Sequence, residues 1–285
     1  MIIDTHIHFY DPDRPEGVPW PPAESPLYRR VLPDEFRTMA EPCGVTGAVV
    51  VEASEWVEDN EWLLRLSHDE PMVLGVVGRL DLCSDGFASH IERFTADPLF
   101  RGIRLNGRSI ADPMRAPRFC RHMGELARRD LTLDLNVGPD LLAHLLQVTD
   151  TLPELRIVVD HMGGSPRTDG RPDSAVQDTL RLLSRRPNLY CKLSGFVEAA
   201  ARHHEPVPSE PAFYRPMFDL LLDTMGPDRL LAASNWPVSA LSARYEAVWN
   251  VLLAWIGSQD AATQAALRHG NAVRAYRLSP GPGSV

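Results

Sequence analysis

The sequence predicts a single-domain (β/α)8 barrel, and three observations carry the prediction. Eight short apolar runs recur along the 285 residues, amphipathic stretches lie between them, and polar residues gather where the runs end. Runs that are apolar on both faces and alternate with helices imply a parallel sheet covered by helices. When such a sheet closes into a barrel, the active site lies at the C-terminal ends of its strands.

The first run, MIIDTHIHF (1 to 9), ends in His6 and His8, and the second, GAVVVEAS (47 to 54), ends in Ser54. MVLGVVGRLDL (72 to 82) is third, and FRGIRLNG (100 to 107) carries Arg104 and Asn106. LTLDLNV (131 to 137) brings Asn136, and LRIVVDHMG (155 to 163) brings Asp160 and His161. NLYCKLSG (188 to 195) holds Lys192 and Ser194, and DRLLAASNW (228 to 236) ends in Asn235. Helical spacing of apolar residues marks 34 to 44, 116 to 130, 140 to 153, 173 to 187 and 213 to 226. Two long segments, 10 to 33 and 196 to 214, are expected to be irregular; the first carries Trp20 and Tyr28 and is placed to cover the barrel mouth. The barrel is expected over residues 1 to 278, with 279 to 285 as a flexible tail.

A net charge of -9 argues against nucleic acid or an anionic membrane as a partner, since either needs a basic patch. No apolar run approaches the roughly 20 residues of a membrane span, and MIIDTHIH lacks a signal-peptide pattern, so a cytoplasmic location is expected. A small molecule is the default ligand, and a homo-oligomer is left open. The four cysteines have no CxxC spacing and read as reduced core thiols. Of the 29 basic residues all but Lys192 are Arg, which places that lysine where a compact ammonium is needed.

Alternation along a strand sends His6 and His8 to one face, and at a strand's C-terminal end that face is the barrel mouth. Two adjacent imidazoles can hold a metal ion or a substrate oxygen; the bland reading is that they bond backbone groups. His161 ends the sixth run, while the same alternation turns Asp160 away, as a buttress of the strand. Gly163 and Gly164 let the backbone approach a ligand. Arg104 reads equally as an anion clamp or as a salt bridge. Lys192 reads as a site residue or a support beneath the site. Ser54, Tyr28 and Tyr214 are candidate substrate contacts, and His203 and His204 are expected to be solvated.

The motifs DTHIHFYDP, GVVGRLDL, GIRLN, VVDHMGG, YCKLSG, SNWPV and GNAVRAYRL, in this order, resemble the amidohydrolase superfamily. They are most similar to its amidohydrolase-related branch of L-fuconolactonase and 2-pyrone-4,6-dicarboxylate lactonase. The resemblance covers residues 1 to about 278. It implies a distorted TIM barrel that opens a small, carboxylated lactone or cyclic ester by adding water to its carbonyl. His6, His8 and His161 would surround that carbonyl, and Arg104 and Ser54 would bind carboxylate or hydroxyl groups. No metal is obligatory in this branch, although a mononuclear zinc on His6, His8 and His161 is compatible with it.

Three positions depart from the family pattern. The fourth run lacks the lysine of binuclear members, the fifth has Asn136 where many metal-dependent members have histidine, and G-S-D-W-P is here ASNWP. The family uses that Asp to activate water and protonate the leaving group, and Asn235 cannot do so. Proton transfer would then fall to a clustered histidine or to Glu52. The alternatives are a relative diverted to non-hydrolytic chemistry or silent ligand binding, an engineered Asp to Asn variant, and a metal-dependent decarboxylase.

Overall fold

The computed structural model describes residues 1–106, 117–138, 141, 144–164 and 174–279. The helical stretch expected from 140 is therefore described only in part, and the tail beyond 279 lies outside the described residues. Eight parallel strands follow one another in chain order. They are β1 (Ile3–Ile7), β2 (Gly47–Val51), β3 (Val73–Gly78), β4 (Phe100–Asn106), β5 (Thr132–Asn136), β6 (Arg156–Val159), β7 (Leu189–Leu193) and β8 (Leu230–Ala232). The helices are α1 (Pro33–Ala40), α2 (Asp59–His68), α3 (Phe87–Thr95), α4 (Pro117–Arg128), α5 (His144–Thr151) and α6 (Ser174–Leu183). They continue as α7 (Phe196–Ala201), α8 (Pro211–Met225), α9 (Tyr245–Gly257), α10 (Ala261–Ala265) and α11 (Asn271–Tyr276).

The last strand returns to the first. Ile7 and Trp236 form a parallel bridge, Asn235 N donates to His6 O at 3.0 Å, and His8 N donates to Trp236 O at 2.9 Å. Asp4 fastens the same seam by accepting Ser234 N at 2.9 Å and the Tyr245 hydroxyl at 3.0 Å. Burial pushes its carboxyl up to about 6 despite those donors. The expected single-domain TIM barrel is the observed fold.

Outward-facing apolar side chains of the strands pack against the helices. Inside, Ile3, Val49, Val51, Val77, Val158 and Leu231 form a separate apolar layer, closed by Ala272, Ala275 and Tyr276 of α11. A register irregularity between Asp4 and Ile7 changes which parity faces inward, so Ile3 lies in this layer and His6 and His8 still reach the interior above it.

Two expectations about the connections change. The segment expected to be irregular from 196 contains the helix α7, and α8 already begins at Pro211, a residue pre-set for a first helical turn. Among the cysteines only Cys191 is buried; Cys83 is exposed, and all four are free thiols. No described helix is long and apolar enough to cross a membrane.

Candidate active site

A cavity of about 710 Å³ opens at the C-terminal ends of the strands. His8, Glu52, Arg104, His161, Glu198 and Asn235 line it, with Asn106 and Asn136 at the ends of β4 and β5. Trp20 forms part of the wall, its ring 5.9 Å from that of His8. The loop that carries Trp20 is pinned at its two ends by paired backbone bonds between Tyr10 and Val31.

His6 Nε2 and His8 Nε2 lie 3.2 Å apart. His8 Nδ1 donates to Val51 O at 2.9 Å, which leaves its Nε2 with a lone pair. His6 Nδ1 stands 3.2 Å from the Lys192 ammonium and 3.3 Å from Asp160 Oδ1. Bonded to Lys192, that nitrogen accepts, and His6 Nε2–H donates to His8. Bonded to Asp160, it donates, and both Nε2 lone pairs converge. His161 Nδ1 pairs with Ser194 Oγ at 2.9 Å, and its ring lies 4.6 Å from that of His6.

Burial holds all three imidazoles neutral at pH 7. It lowers His8 to about 3, with Arg104 adding to the effect, and lowers His161 to about 4 against the pull of Asp160. His6 falls well below its ordinary value through burial and the nearby Lys192.

The donor set fits one divalent ion. The imidazoles are unprotonated, and 3.2 Å is close to the separation of two nitrogens sharing a tetrahedral ion at about 2.0–2.1 Å each. His6, Asp160 and His161 also bring ligand atoms within 4.8 Å of one another.

Beneath the histidines lies a layer of buried charge. Lys192 Nζ donates to Asp134 at 2.6 Å and pairs with Asp160 at 3.0 Å, and Tyr276 OH donates to Asp134 at 2.7 Å. Arg104 Nε bonds Asp160 at 2.9 Å while its Nη1 lies 3.6 Å from Glu52. Burial alone would raise the Asp160 carboxyl, but Lys192, His6 and Arg104 together hold it well below the usual range. Burial carries Glu52 up to about 7 in spite of Arg104 and Arg79.

The structure brings together His6, His8, His161, Arg104 and Asn235. Asp160 is a correction: it faces inward, two residues after the inward Val158, and it is His161, with left-handed backbone at φ 53° just past the end of β6, that departs from the strand alternation and still reaches the cavity. Lys192 is fully buried under the site, away from the cavity wall, because two carboxylates hold it. Ser54 Oγ accepts Trp56 N at the start of the following turn and does not reach the cavity lining. Tyr28 is exposed on the outer part of its loop. Tyr214 is buried in an aromatic cluster with Phe196 and Phe218, its hydroxyl donating to Pro208 O at 2.7 Å.

Glu198 was not anticipated. It stands on α7 and accepts Asn235 Nδ2 at 2.7 Å. Its other oxygen, Oε2, is buried with no hydrogen-bond partner among the described residues. Burial raises its carboxyl, against the Asn235 bond and Arg202. The apolar run FVEAAA was the signal that could have revealed this helix.

A barrel whose mouth gathers neutral imidazoles beside carboxylates is the architecture of a hydrolase that works on a polarised carbonyl. The chain belongs to the amidohydrolase family, whose model matches residues 3–278, and it is a hydrolase. It is 33% identical over 260 residues to an L-fucono-1,5-lactonase of Burkholderia ambifaria, covering 89% of this chain and 86% of the relative. An L-fucono-1,5-lactonase of Burkholderia multivorans is 30% identical, over 98% of this chain and 96% of its own length. A crystal structure of an amidohydrolase from Burkholderia multivorans with bound zinc superposes with a TM-score of 0.87 at 28% identity, covering 98% of this chain and all of that one.

Proposed function

We propose that the protein is a lactonase that opens a small hydroxylated sugar lactone by adding water to its carbonyl. The observation that carries this reading is the neutral imidazole cluster at the mouth of a cavity large enough for a monosaccharide ring. Its relatives named L-fucono-1,5-lactonase support the substrate class.

Each residue has a task that its contacts permit. With Ser194 donating to its Nδ1, His161 presents Nε2–H to the lactone oxygen, and a neutral imidazole is a competent electrophile. His6 and His8 stand behind that oxygen, and Asn235 orients the attacking water. Arg104 is already engaged by Asp160 and Glu52, which favours a hydroxylated ring over a dicarboxylate as substrate. With the Ser194 bond reversed, so that His161 Nδ1–H donates and its Nε2 carries the lone pair, His6, His8 and His161 would instead hold a single zinc ion, the borderline-soft cation that suits imidazole nitrogen. Bound there, it would supply Lewis-acid polarisation of the carbonyl and make a water more acidic. The free thiols agree with a cytoplasmic setting.

Purified protein assayed on L-fucono-1,5-lactone, a sugar 1,4-lactone and 2-pyrone-4,6-dicarboxylate, with metal content measured alongside, tests this. The sugar lactones are expected to be opened, the dicarboxylate poorly, and zinc to bind at no more than one per chain. Inertness toward every lactone would overturn the lactonase reading.

A further inference from the structure

The eighth-strand position that would carry a base holds Asn235, so the water proton needs another destination. Three carboxylates line the cavity among the described residues, Glu52, Glu55 and Glu198, and of these Glu55 is exposed to solvent. Glu52 is committed to an ion pair, 3.6 Å from the Arg104 guanidinium. Glu198 is differently held. One oxygen accepts the Asn235 amide at 2.7 Å, and the other is buried with no hydrogen-bond partner among the described residues, on a side chain that lines the cavity.

We propose that Glu198 is the proton acceptor of the hydrolysis, with Asn235 as the amide that fixes one of its oxygens. The assignment rests on the lactonase reading above. An amide there serves this arrangement better than a carboxylate. Asn235 donates to Glu198 and keeps an acceptor oxygen for a water proton, whereas two carboxylates at that distance would share one proton. The backbone holds the amide in place: Asn235 N donates to His6 O and Ser239 N donates to Asn235 O, both at 3.0 Å. The catalytic carboxylate has in effect moved from the end of β8 to the first turn of α7.

The step balances without a further reactant. The water oxygen forms a bond to the carbonyl carbon as one of its protons passes to Glu198 Oε2. The tetrahedral intermediate then expels the ring oxygen, the C–O ester bond breaks, and the Glu198 proton goes to the departing alkoxide. The product is the open hydroxy acid, and the carboxyl group it bears loses its proton to solvent.

The groups that face Glu198 electrostatically are Arg202 at the end of its own helix and Tyr214 on α8. Glu52 and Arg104 share the cavity. Burial raises the Glu198 carboxyl, so activity should decline as pH falls through that raised value. Glu52 also titrates in the accessible range, so a pH profile alone does not separate the two.

The test compares wild type, Glu198→Gln, Glu198→Asp and Glu52→Gln on L-fucono-1,5-lactone across pH, with thermal unfolding as the control for folding. Glu198→Gln is expected to lower kcat about 10²- to 10⁴-fold with KM little changed, and Glu198→Asp to recover part of the rate. An acid limb that persists in Glu52→Gln and disappears from the residual activity of Glu198→Gln supports the assignment. Wild-type turnover that Glu198→Gln retains overturns the assignment alone, as does loss of the limb in Glu52→Gln only. A wild type inert to every lactone overturns the lactonase reading and the assignment with it.

Discussion

Asn235 sits in left-handed backbone, φ 63°, a conformation that Asn tolerates better than most residues because its short side chain bonds locally. Its amide and the Glu198 carboxylate are 2.7 Å apart, so a substitution at either position is felt at the other. Asn235→Asp would place two carboxylates at hydrogen-bond distance, and one of them must take a much higher pKa. The expected outcome is an acid limb displaced to higher pH, with kcat at pH 7 no more than about tenfold above wild type. A rise of several orders of magnitude at pH 7 would instead mean that position 235 is the true seat of the base and Glu198 a bystander. Initial rates of lactone opening between pH 5 and 9 decide it. Asn235, His8 and His161 were legible as cavity residues, and His6 as their buried neighbour, because strand ends in a barrel converge on one mouth. Glu198 was not, since nothing in an isolated glutamate announces a partner 37 positions away.

Helix α7 is placed by one glycine. Gly195 precedes it with φ 74°, and a Cβ built there would lie 2.8 Å from His161 Cβ. Gly226, after α8, has a similar φ of 76° but nothing within 4 Å of its built Cβ. Replacing either by Ala brings the left-handed cost of roughly 1–2 kcal/mol, and only Gly195→Ala also displaces His161. Comparable loss of unfolding free energy is thus expected in both variants, with more in Gly195→Ala. A kcat loss of roughly tenfold or more should appear in Gly195→Ala alone, because small misplacements of a positioned group are costly. Equal kcat values in the two variants would remove the contact with His161 from the explanation. The eight strands were readable because each lies in a short run rich in apolar residues and set off by polar ones at its end; β2, GAVVV, is apolar on both faces, while β1, IDTHI, and β7, LYCKL, bury polar side chains among the apolar ones. α7 escaped notice because its six residues run directly into the proline- and histidine-rich stretch before Pro211, whose composition dominates any window that includes it.

The interior of the barrel is layered along its axis: apolar side chains over α11 at the base, buried charge in the middle, and the histidine cluster and cavity above. Sequence patterning conveys the first layer and hints at the last. The middle layer is invisible to it, because Lys192 is 58 positions from Asp134 and 186 from His6, and only closure of the sheet brings them together. The single lysine gave the one clue, and its ammonium is indeed where two carboxylates converge. Lys192→Met removes the cation and leaves Asp134 and Asp160 buried with less compensation, at an expected cost of about 3–5 kcal/mol. The pH dependence has a definite sign. In wild type, Asp160 is held below its ordinary value, so its contribution to stability is present above the unfolded pKa of 3.8 and is lost only as pH falls through the folded value. Without Lys192, burial dominates and the folded pKa rises, so stability in the variant is retained at low pH and lost as pH increases through that raised value. The stability gap between the two proteins should therefore be widest near pH 7 and narrow toward pH 4. Denaturant unfolding at both pH values measures it. A gap under about 1 kcal/mol, or one equal at pH 4 and 7, would show that the ammonium is not what keeps Asp160 charged in the barrel.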